Sequence, residues 1–278
     1  MANILVIGAA GGLGSALVDL LCARGDVVVG TGLDAREKSL IEARHGMRVQ
    51  AHAIDLDAPD AAYAGLEAVV AGMETLDAVV VCAAISPYVP MEAAPFDLLL
   101  KTFRINCVGG IAVYQATMPA LRRSGGRIIF VSSLVGFLAL PLLGPYVTSK
   151  FALEGAADVM RREAAAQGVS VVLVEPGGIR TAMVAEQLAT IQSRLALLPA
   201  DHQTRYGPLY RGFEAMASHA YVSEPDEIAR VIIEGLDAEI PAARYLAGED
   251  VKQLSATIRD LSVNETDALL AEMFQEPR

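Results

Sequence analysis

Short apolar runs alternate with helical patterns over roughly the first 180 residues of the chain. The apolar runs have the length and composition of strands that are buried on both faces. They are Ile4–Ile7, Val27–Val29, Val49–His52, Ala78–Val81, Ile128–Val131 and Val169–Val174. Between them, apolar residues recur at helical spacing in Leu13–Arg24, Glu37–Arg44, Ala61–Met73, Phe96–Arg122 and Tyr146–Gln167. This alternation predicts an α/β fold, a doubly wound parallel sheet with helices on both faces.

The pattern changes after Thr181. Residues 182–222 are helical in pattern but are interrupted by Tyr, Gly and Pro, and a helix over Asp226–Leu236 and a short strand over Arg244–Ala247 follow. Ligands of open α/β sheets bind at the carboxyl ends of the strands, the edge where this insert would lie. We therefore expect a single domain over residues 1–278, in which the insert at 182–222 forms a lid over a substrate.

Composition narrows the function classes. The chain is 53% hydrophobic with a mean hydropathy of +0.40, which excludes a disordered protein. Its net charge of −11, without basic clusters, argues against nucleic acid or an anionic membrane as a partner. Residues 128–147 approach the length of a membrane span, but Ser, Pro and Gly interrupt them, so we expect no membrane segment. The first residues lack a basic leader, which favours a cytoplasmic location.

Cysteine and histidine spacing predicts neither a disulfide framework nor a metal centre. Cys22, Cys82 and Cys107 lie far apart and form no Cys-x-x-Cys pair, so we expect three small, buried, apolar side chains. The four histidines show no ligand spacing among themselves, and the methionines are scattered. No metal or haem is therefore expected.

A glycine-rich turn follows the first predicted strand. Gly8, Gly12 and Gly14 stand in Gly-Ala-Ala-Gly-Gly-Leu-Gly, which opens the first predicted helix. Such a turn lets the backbone approach a pyrophosphate, and the free N–H groups of the helix start supply positive potential. Tight packing alone would also explain glycines here, so the turn needs a second signal.

The second signal is the combination of Ser133, Tyr146 and Lys150. Ser133 ends the strand-like run Ile-Ile-Phe-Val-Ser-Ser, and Tyr146 and Lys150 lie four residues apart, on one face of a predicted helix. With eight tyrosines and only four lysines, about 0.1 such pairs are expected by chance. Each residue alone has an ordinary structural explanation, but together they indicate a catalytic group.

In these motifs the chain resembles the short-chain dehydrogenase/reductase family. Asn106, in Arg-Ile-Asn-Cys-Val-Gly, and residues 176–181, Pro-Gly-Gly-Ile-Arg-Thr, match two further family segments. The resemblance covers about residues 3–250, and residues 146–183 are most similar to the branch of hydroxysteroid and retinol dehydrogenases. It implies a Rossmann-type fold, NAD or NADP as cofactor and an alcohol or ketone as substrate. The implied catalytic tetrad is Asn106, Ser133, Tyr146 and Lys150.

The resemblance also implies a cofactor site and an assembly. We expect a homodimer or homotetramer held by the helices predicted over Phe96–Arg122 and Tyr146–Gln167, since relatives pair these helices. The expected cofactor-binding residues are Gly8, Gly12, Leu13, Gly14, Leu33, Asp55, Leu56, Cys82, Ala83, Tyr146, Lys150, Pro176, Gly177, Ile179 and Thr181.

The chemistry follows from the residue types. Hydride transfer from an alcohol carbon needs a proton to move at the oxygen, and Tyr146 is the candidate acid and base. A free tyrosine has a pKa near 10, so we expect Lys150 and the oxidised nicotinamide to lower the pKa of Tyr146 toward neutrality. Ser133 would hold the substrate oxygen, Lys150 would also bind the nicotinamide ribose, and Asn106 would anchor a water relay to Lys150, the last two as the family implies.

Some positions depart from the family pattern. Ile7 replaces the usual Thr before the first glycine, and residues 81–84 read Val-Cys-Ala-Ala where relatives have Asn-Asn-Ala-Gly. After the second predicted strand, Gly32 and Leu33 occupy the positions that select the cofactor, while Asp34 could reach a ribose hydroxyl and Arg36 a phosphate. The sequence therefore favours NAD only slightly over NADP.

The expected pocket lining is apolar, which suits a hydrophobic or alicyclic alcohol or ketone. It consists of Ile85, Val89, Leu134, Val135, Phe137, Leu138, Met183 and Val184. Arg180 is expected to point outward, and Arg205, Tyr206 and Tyr210 could add hydrogen bonds from the lid. Two alternatives remain open: an NAD(P)-binding sensor or regulator without turnover, and an epimerase or dehydratase that retains its nucleotide.

Overall fold

Seven parallel strands form the centre of the computed structural model, which describes residues 1–219 and 222–275. The strand order is β3-β2-β1-β4-β5-β6-β7, so the chain reverses its direction of travel between β1 and β4. This arrangement confirms the predicted parallel α/β sheet. The strands are β1 Asn3–Ile7, β2 Val27–Gly32, β3 Val49–Ala53, β4 Ala78–Val81, β5 Arg127–Val131, β6 Ser170–Pro176 and β7 Arg244–Ala247.

Helices cover both faces of the sheet. One core forms between the sheet and the helices α3, α5 and α6, and a second forms on the opposite face against α1, α2 and α10. The helices are α1 Gly12–Arg24, α2 Ala35–His45, α3 Pro59–Ala71, α4 Phe96–Phe103, α5 Gly109–Ser124, α6 Gly144–Ala165, α7 Ala182–Ala189, α8 Ile191–Ala196, α9 Ala200–His219, α10 Pro225–Asp237, α11 Glu249–Ile258 and α12 Val263–Met273.

Two differences between the predicted helices and the structure concern the helices beside the carboxyl ends of the strands. The single helix expected over Phe96–Arg122 is divided by a π-helical segment, Arg104–Val108, between α4 and α5. Single π turns often occur at functional sites, because the wider turn redirects a side chain. The helix expected to begin at Tyr146 begins at Gly144, since Pro145 is well suited to a first helical turn, which needs no N–H donor there.

The insert forms three helices, α7, α8 and α9, within the described residues. They enclose a third apolar cluster, in which Tyr210 and Phe213 of α9 pack beside Tyr88, Leu142 and Leu143. Phe213 and Tyr88 are in tilted ring contact at 5.1 Å between centroids. This packing joins the insert to the segment between β4 and α6, above the carboxyl ends of the strands. In the described part of the chain, no helix is long and apolar enough to cross a membrane.

Candidate active site

A cavity of about 480 Å³ lies at the carboxyl ends of the strands. It begins at the glycine turn after β1, runs past the ends of β4 and β5, and continues under the insert. This is the edge at which open α/β sheets bind ligands. One end of the cavity is lined by backbone and small residues, and the other by apolar side chains.

The glycine turn fits the phosphates of a dinucleotide. Gly8 has φ +83°, in the left-handed region that favours glycine. A Cβ at Gly14 would lie 2.1 Å from the carbonyl oxygen of Gly8, so only glycine allows α1 to begin this close to the turn. Gly11 precedes α1 without a side-chain cap, and the first turn of the helix carries no acidic residue. The helix start therefore keeps the positive potential that attracts an anionic group.

All of the residues predicted to bind the cofactor line this one cavity. They come from six chain segments that the sheet brings together, including Asp55 and Leu56 after β3 and the loop after β6. Asp250 of α11 also lines the cavity, and its Oδ2 accepts a hydrogen bond from Gly178 N at 2.8 Å. No sequence pattern pointed to Asp250, because the contact depends on how α11 packs against that loop.

Ser133, Tyr146 and Lys150 meet at the centre of the cavity. Ser133 follows β5 directly, and the first turns of α6 carry Tyr146 and Lys150. Lys150 is buried, its Nζ lies 5.6 Å from the centroid of the Tyr146 ring, and it donates a hydrogen bond to the Val131 carbonyl at 2.7 Å. The Tyr146 phenol, the Ser133 hydroxyl and the Lys150 amino group thus line the same cavity.

The chain's own groups alone do not lower the pKa of Tyr146. Burial raises the pKa of Tyr146 to about 12, although a hydrogen bond with Ser133 lowers it in part. Burial also lowers the pKa of Lys150 to about 8. Desolvation disfavours a charged phenolate and a charged ammonium alike, and the Lys150 ammonium is directed to a backbone carbonyl. A low pKa of Tyr146 would therefore require a further positive charge beside the ring.

Asn106 lies beside the cavity, in the π-helical segment, and its side chain makes three hydrogen bonds. Its Oδ1 accepts from Ile85 N at 2.9 Å, and its Nδ2 donates to the Ile85 carbonyl at 2.8 Å and to Ser149 Oγ at 2.9 Å. Asn106 therefore fixes the chain after β4 against α6, the helix that carries Tyr146. Both side-chain donors are used, so a water relay could reach Asn106 only by donating to the second lone pair of Oδ1 or through the backbone.

The end of β2 differs from the expectation. Asp34 does not reach the cavity but caps α2, where its carboxylate accepts from Glu37 N at 2.9 Å. Glu37 lines the cavity instead, and its Oε2 accepts from Leu33 N at 2.7 Å. Sequence reasoning missed Glu37. The signal was present, because Asp followed by Glu three residues later is the spacing of a helix capping box.

The apolar half of the cavity agrees only in part with the expected lining. Ile85, Leu134, Val135, Met183 and Val184 line it as predicted. The prediction is wrong for Val89, Phe137 and Leu138, which do not line the cavity and lie against or within the insert cluster. The remaining lining comes from Ser86, Tyr88, Leu140, Leu143, Leu188, Phe213, Met216, Ala217 and Val222.

Arg180 and the described polar residues considered for the lid do not line the cavity. Arg180 points outward as predicted and pairs with Glu224 at 2.6 Å. Tyr206 donates to Glu92 at the surface, and Tyr210 is fully buried in the insert cluster. Arg205 pairs with Glu92 and Asp201. The described part of the cavity wall under the insert therefore presents few hydrogen-bonding groups to a substrate.

The cysteines are less uniform than expected. Cys107 is buried, but Cys22 and Cys82 are only half-buried. Cys82 lines the cavity in place of the family's asparagine, and burial raises the pKa of its thiol to about 12. It therefore acts as a neutral, apolar wall. Among the described residues, no group of His, Cys, Asp and Glu could hold a metal ion.

The sequence pattern of the short chain dehydrogenase family matches residues 2–192. The chain belongs to this family. Relatives include 3-amino-tetrahydro-pyrrolizinone reductase of Xenorhabdus hominickii, which is 32% identical over 64% of the chain, and human retinol dehydrogenase 5, which is 33% identical over 65%. These matches span 63% and 59% of the relatives' own lengths. Human short-chain dehydrogenase/reductase family 9C member 7 is 28% identical over 99% of the chain and 90% of its own length.

Solved structures share the fold. A short-chain dehydrogenase from Streptomyces avermitilis has a TM-score of 0.77 and 23% identity, over 98% of this chain and 95% of its own. A short chain dehydrogenase from Burkholderia cenocepacia in complex with NADP has a TM-score of 0.75 and 21% identity, over 99% and 98%. The Rossmann-type arrangement predicted from the glycine turn is therefore confirmed at the level of fold.

Proposed function

We propose that the protein is an oxidoreductase that interconverts a secondary alcohol and a ketone with a nicotinamide dinucleotide, and that Tyr146 is its acid and base. The observation that carries the proposal is the convergence of Ser133, Tyr146 and Lys150 on one cavity, with the glycine turn on one side and an apolar chamber on the other. The bound nicotinamide would accept or donate the hydride, and its oxidised form would supply the positive charge that Tyr146 lacks.

Each side chain has a task that its position supports. The Ser133 hydroxyl would hold the substrate oxygen beside Tyr146, which gives or takes the proton. Lys150 would bind the nicotinamide ribose and favour the phenolate by its charge. Asn106 keeps Ile85 and Ser149 in place through three hydrogen bonds, which fixes the geometry of the pocket wall.

We infer that NAD is preferred over NADP. The Glu37 carboxylate stands at the cavity wall beside Leu33, where the adenine ribose would lie. A carboxylate accepts hydrogen bonds from a free ribose hydroxyl and repels a 2′-phosphate. Gly11 offers no basic side chain in the glycine turn to offset that repulsion.

The substrate is proposed to be hydrophobic, with few polar groups besides the reacting oxygen. Leu134, Leu143, Leu188, Phe213 and Met216 line the chamber. Sugars and hydroxy acids would leave their polar groups without partners there, at a cost of about 1 to 3 kcal/mol each. We also propose that residues 1–278 form a single domain and that the insert at 182–222 acts as a lid over this substrate.

A homo-oligomer is proposed for the same reason as in the sequence analysis, with new support. Phe96 and Leu100 of α4 and Phe151 and Val159 of α6 are exposed, at 83%, 58%, 44% and 51%. Phe151 and Val159 are eight residues apart and share one helical face. Burial of these four side chains against a second copy would remove apolar surface from water.

The direct test is a single-turnover screen with both nucleotides. Lipophilic cyclic alcohols and ketones, sugars and hydroxy acids of similar size are mixed with enzyme and NAD, NADH, NADP or NADPH, and the absorbance of the reduced nicotinamide is followed. We expect turnover of the lipophilic set with NAD(H). Tight nucleotide binding without turnover of any compound would favour the sensor, and a tenfold preference for the charged set would overturn the pocket assignment.

A further inference from the structure

A cluster of charged side chains lies where α6, the helix that carries Tyr146, packs beside β6 and β7. Glu154 of α6 and Glu175 of β6 are 8% and 3% exposed, and both contact the guanidinium of Arg244 on β7. Arg244 Nε and Nη2 donate to Glu154 Oε2 at 3.1 and 3.0 Å, and Arg244 Nε lies 3.1 Å from Glu175 Oε1. Arg244 Nη1 donates to Asp158 at 3.1 Å. One cation therefore faces three carboxyl groups.

The two buried carboxyl groups contact the same nitrogen of Arg244. Glu154 Oε2 and Glu175 Oε1 both lie 3.1 Å from Arg244 Nε, so ionisation of both groups would place two buried negative charges close together. Burial, followed by the charge of Glu154, raises the pKa of Glu175 to about 7, while Arg244 acts in the opposite direction. The pair can thus release one proton as the pH rises through neutrality.

This pair is placed to act on Lys150. Glu154 follows Lys150 by four residues on α6, so the two buried side chains lie on the same helix face. The charge of Glu154 is the largest influence that raises the pKa of Lys150, ahead of the thiols of Cys82 and Cys107. A change of charge on the carboxyl pair therefore reaches the ammonium directly.

We propose that Glu154 and Glu175 form a positioning pair, which sets the charge state of Lys150 by holding or releasing one shared proton. When the pair loses that proton to solvent, its negative charge grows and favours the protonated form of Lys150. Protonated Lys150 in turn favours the phenolate of Tyr146. The proposal deepens the function proposed above and rests on the role assigned there to Lys150.

The surroundings of the pair support one shared proton rather than full ionisation. The charged groups that face it are Lys150 and Asp158 from α6 and Arg244 from β7. Asp158 is also paired with Arg161 and Arg162 on the outer side of the helix. Arg161 and Arg162 are thus paired with Asp158 and not with the buried carboxyl groups. Among the described ion pairs, Arg244 is the one cation that contacts Glu154 and Glu175. Two buried carboxylates beside one guanidinium carry a net negative charge, which retention of a proton removes.

The alternative is a purely structural salt bridge that ties β7 to α6. Both interpretations predict that removal of Arg244 destabilises the fold, so the test must measure the protonation of Lys150 itself. The chain has only four lysines, so lysine labelled with ¹³C at Cε gives four signals. Comparison with the Lys150→Arg variant assigns the signal of Lys150, and the titration of that signal with pH needs neither cofactor nor turnover.

We expect two inflections in the wild-type titration of Lys150, one near neutral pH from the carboxyl pair and one at its own pKa of about 8. Glu154→Gln should remove the first inflection and lower the second by about one pH unit. Glu175→Gln should remove the first inflection and leave the second in place or slightly lower, because the fully ionised pair then carries one negative charge fewer. The control is Glu163→Gln, an exposed position nine residues along α6 and so on the opposite face, which should change neither.

Thermal melts identify a variant that has lost its fold. If one of the two Gln variants does not fold, the titration of the other still tests the proposal. A neutral inflection that persists in both, or a Lys150 midpoint in Glu154→Gln equal to that of Glu163→Gln, would overturn the proposal. The pH profile of turnover, measured with the best alcohol of the screen, should shift in the same direction as the NMR midpoint. If the NMR titrations are as expected but no substrate is turned over, the proposed function is overturned and the proposal for the carboxyl pair is supported.

Discussion

Replacement of Glu37 by Gln should move the nucleotide preference toward NADP. The Gln side chain keeps an oxygen for the hydrogen bond that Leu33 N now donates to Glu37 at 2.7 Å, so the end of β2 should stay in place. What changes is one negative charge at the cavity wall. A 2′-phosphate carries about 1.5 to 2 negative charges at neutral pH.

The size of the effect follows from Coulomb's law. Two unit charges 4 Å apart interact by about 1 kcal/mol in water and about 4 kcal/mol near a protein surface. Glu37 is half-buried and open to the cavity, so we expect a value toward the lower limit, about 1 to 2 kcal/mol. This corresponds to a decrease of about five- to thirtyfold in the ratio of the Kd for NADP to the Kd for NAD.

Isothermal titration calorimetry with NAD and NADP measures both constants without a substrate. Tryptophan fluorescence is no option, because the chain has no tryptophan. Glu42→Gln, at an exposed position further along α2, is the matched control for the loss of one charge. An unchanged ratio in Glu37→Gln, or an equal change in Glu42→Gln, would refute the assignment of Glu37 to the ribose site.

Three further predictions concern the turn, the pH dependence and the assembly. Gly14→Ala should abolish dinucleotide binding and lower Tm, since its Cβ would lie 2.1 Å from a backbone carbonyl oxygen. Calorimetry and thermal melts measure both effects. The control is Gly72→Ala, where the nearest atom is 3.4 Å away and binding should stay unchanged. The rate of ketone reduction should fall above about pH 8, because Lys150, with a pKa of about 8, then loses its charge. A stopped-flow rate that stays constant up to about pH 10 would contradict this. Phe96→Asp should dissociate the oligomer in sedimentation at micromolar concentration, whereas Leu197→Asp, equally exposed on the insert, should not; a wild-type monomer would refute the interface.

The sequence predicted the centre of the site because its geometry is local. Ser133 stands at a strand end, and the four-residue spacing of Tyr146 and Lys150 fixes their common helix face whatever the rest of the fold does. The parallel sheet was likewise predictable from runs that are apolar throughout. The predicted cofactor residues line one cavity because carboxyl ends of parallel strands meet at one edge.

What the sequence did not predict depends on tertiary contacts. Glu154 and Glu175 lie twenty-one residues apart and meet Arg244 only because β7 adds beside β6. The raised pKa of Tyr146 results from burial, which no local pattern encodes. Asp34, which the sequence analysis considered for a ribose hydroxyl, caps α2 instead, and its spacing to Glu37 is that of a helix cap.

The central claim is that Tyr146 moves the proton in a hydride transfer, and one comparison tests it most directly. Single-turnover rates and nucleotide Kd values are measured for wild type, Tyr146→Phe and Lys150→Ala with the best substrate of the screen. Tyr146→Phe should lose about 10²- to 10⁴-fold in rate with nearly unchanged nucleotide affinity, because only the proton-transfer oxygen is removed. Lys150→Ala should lose both rate and affinity. A Tyr146→Phe variant with a near-normal rate would contradict the account.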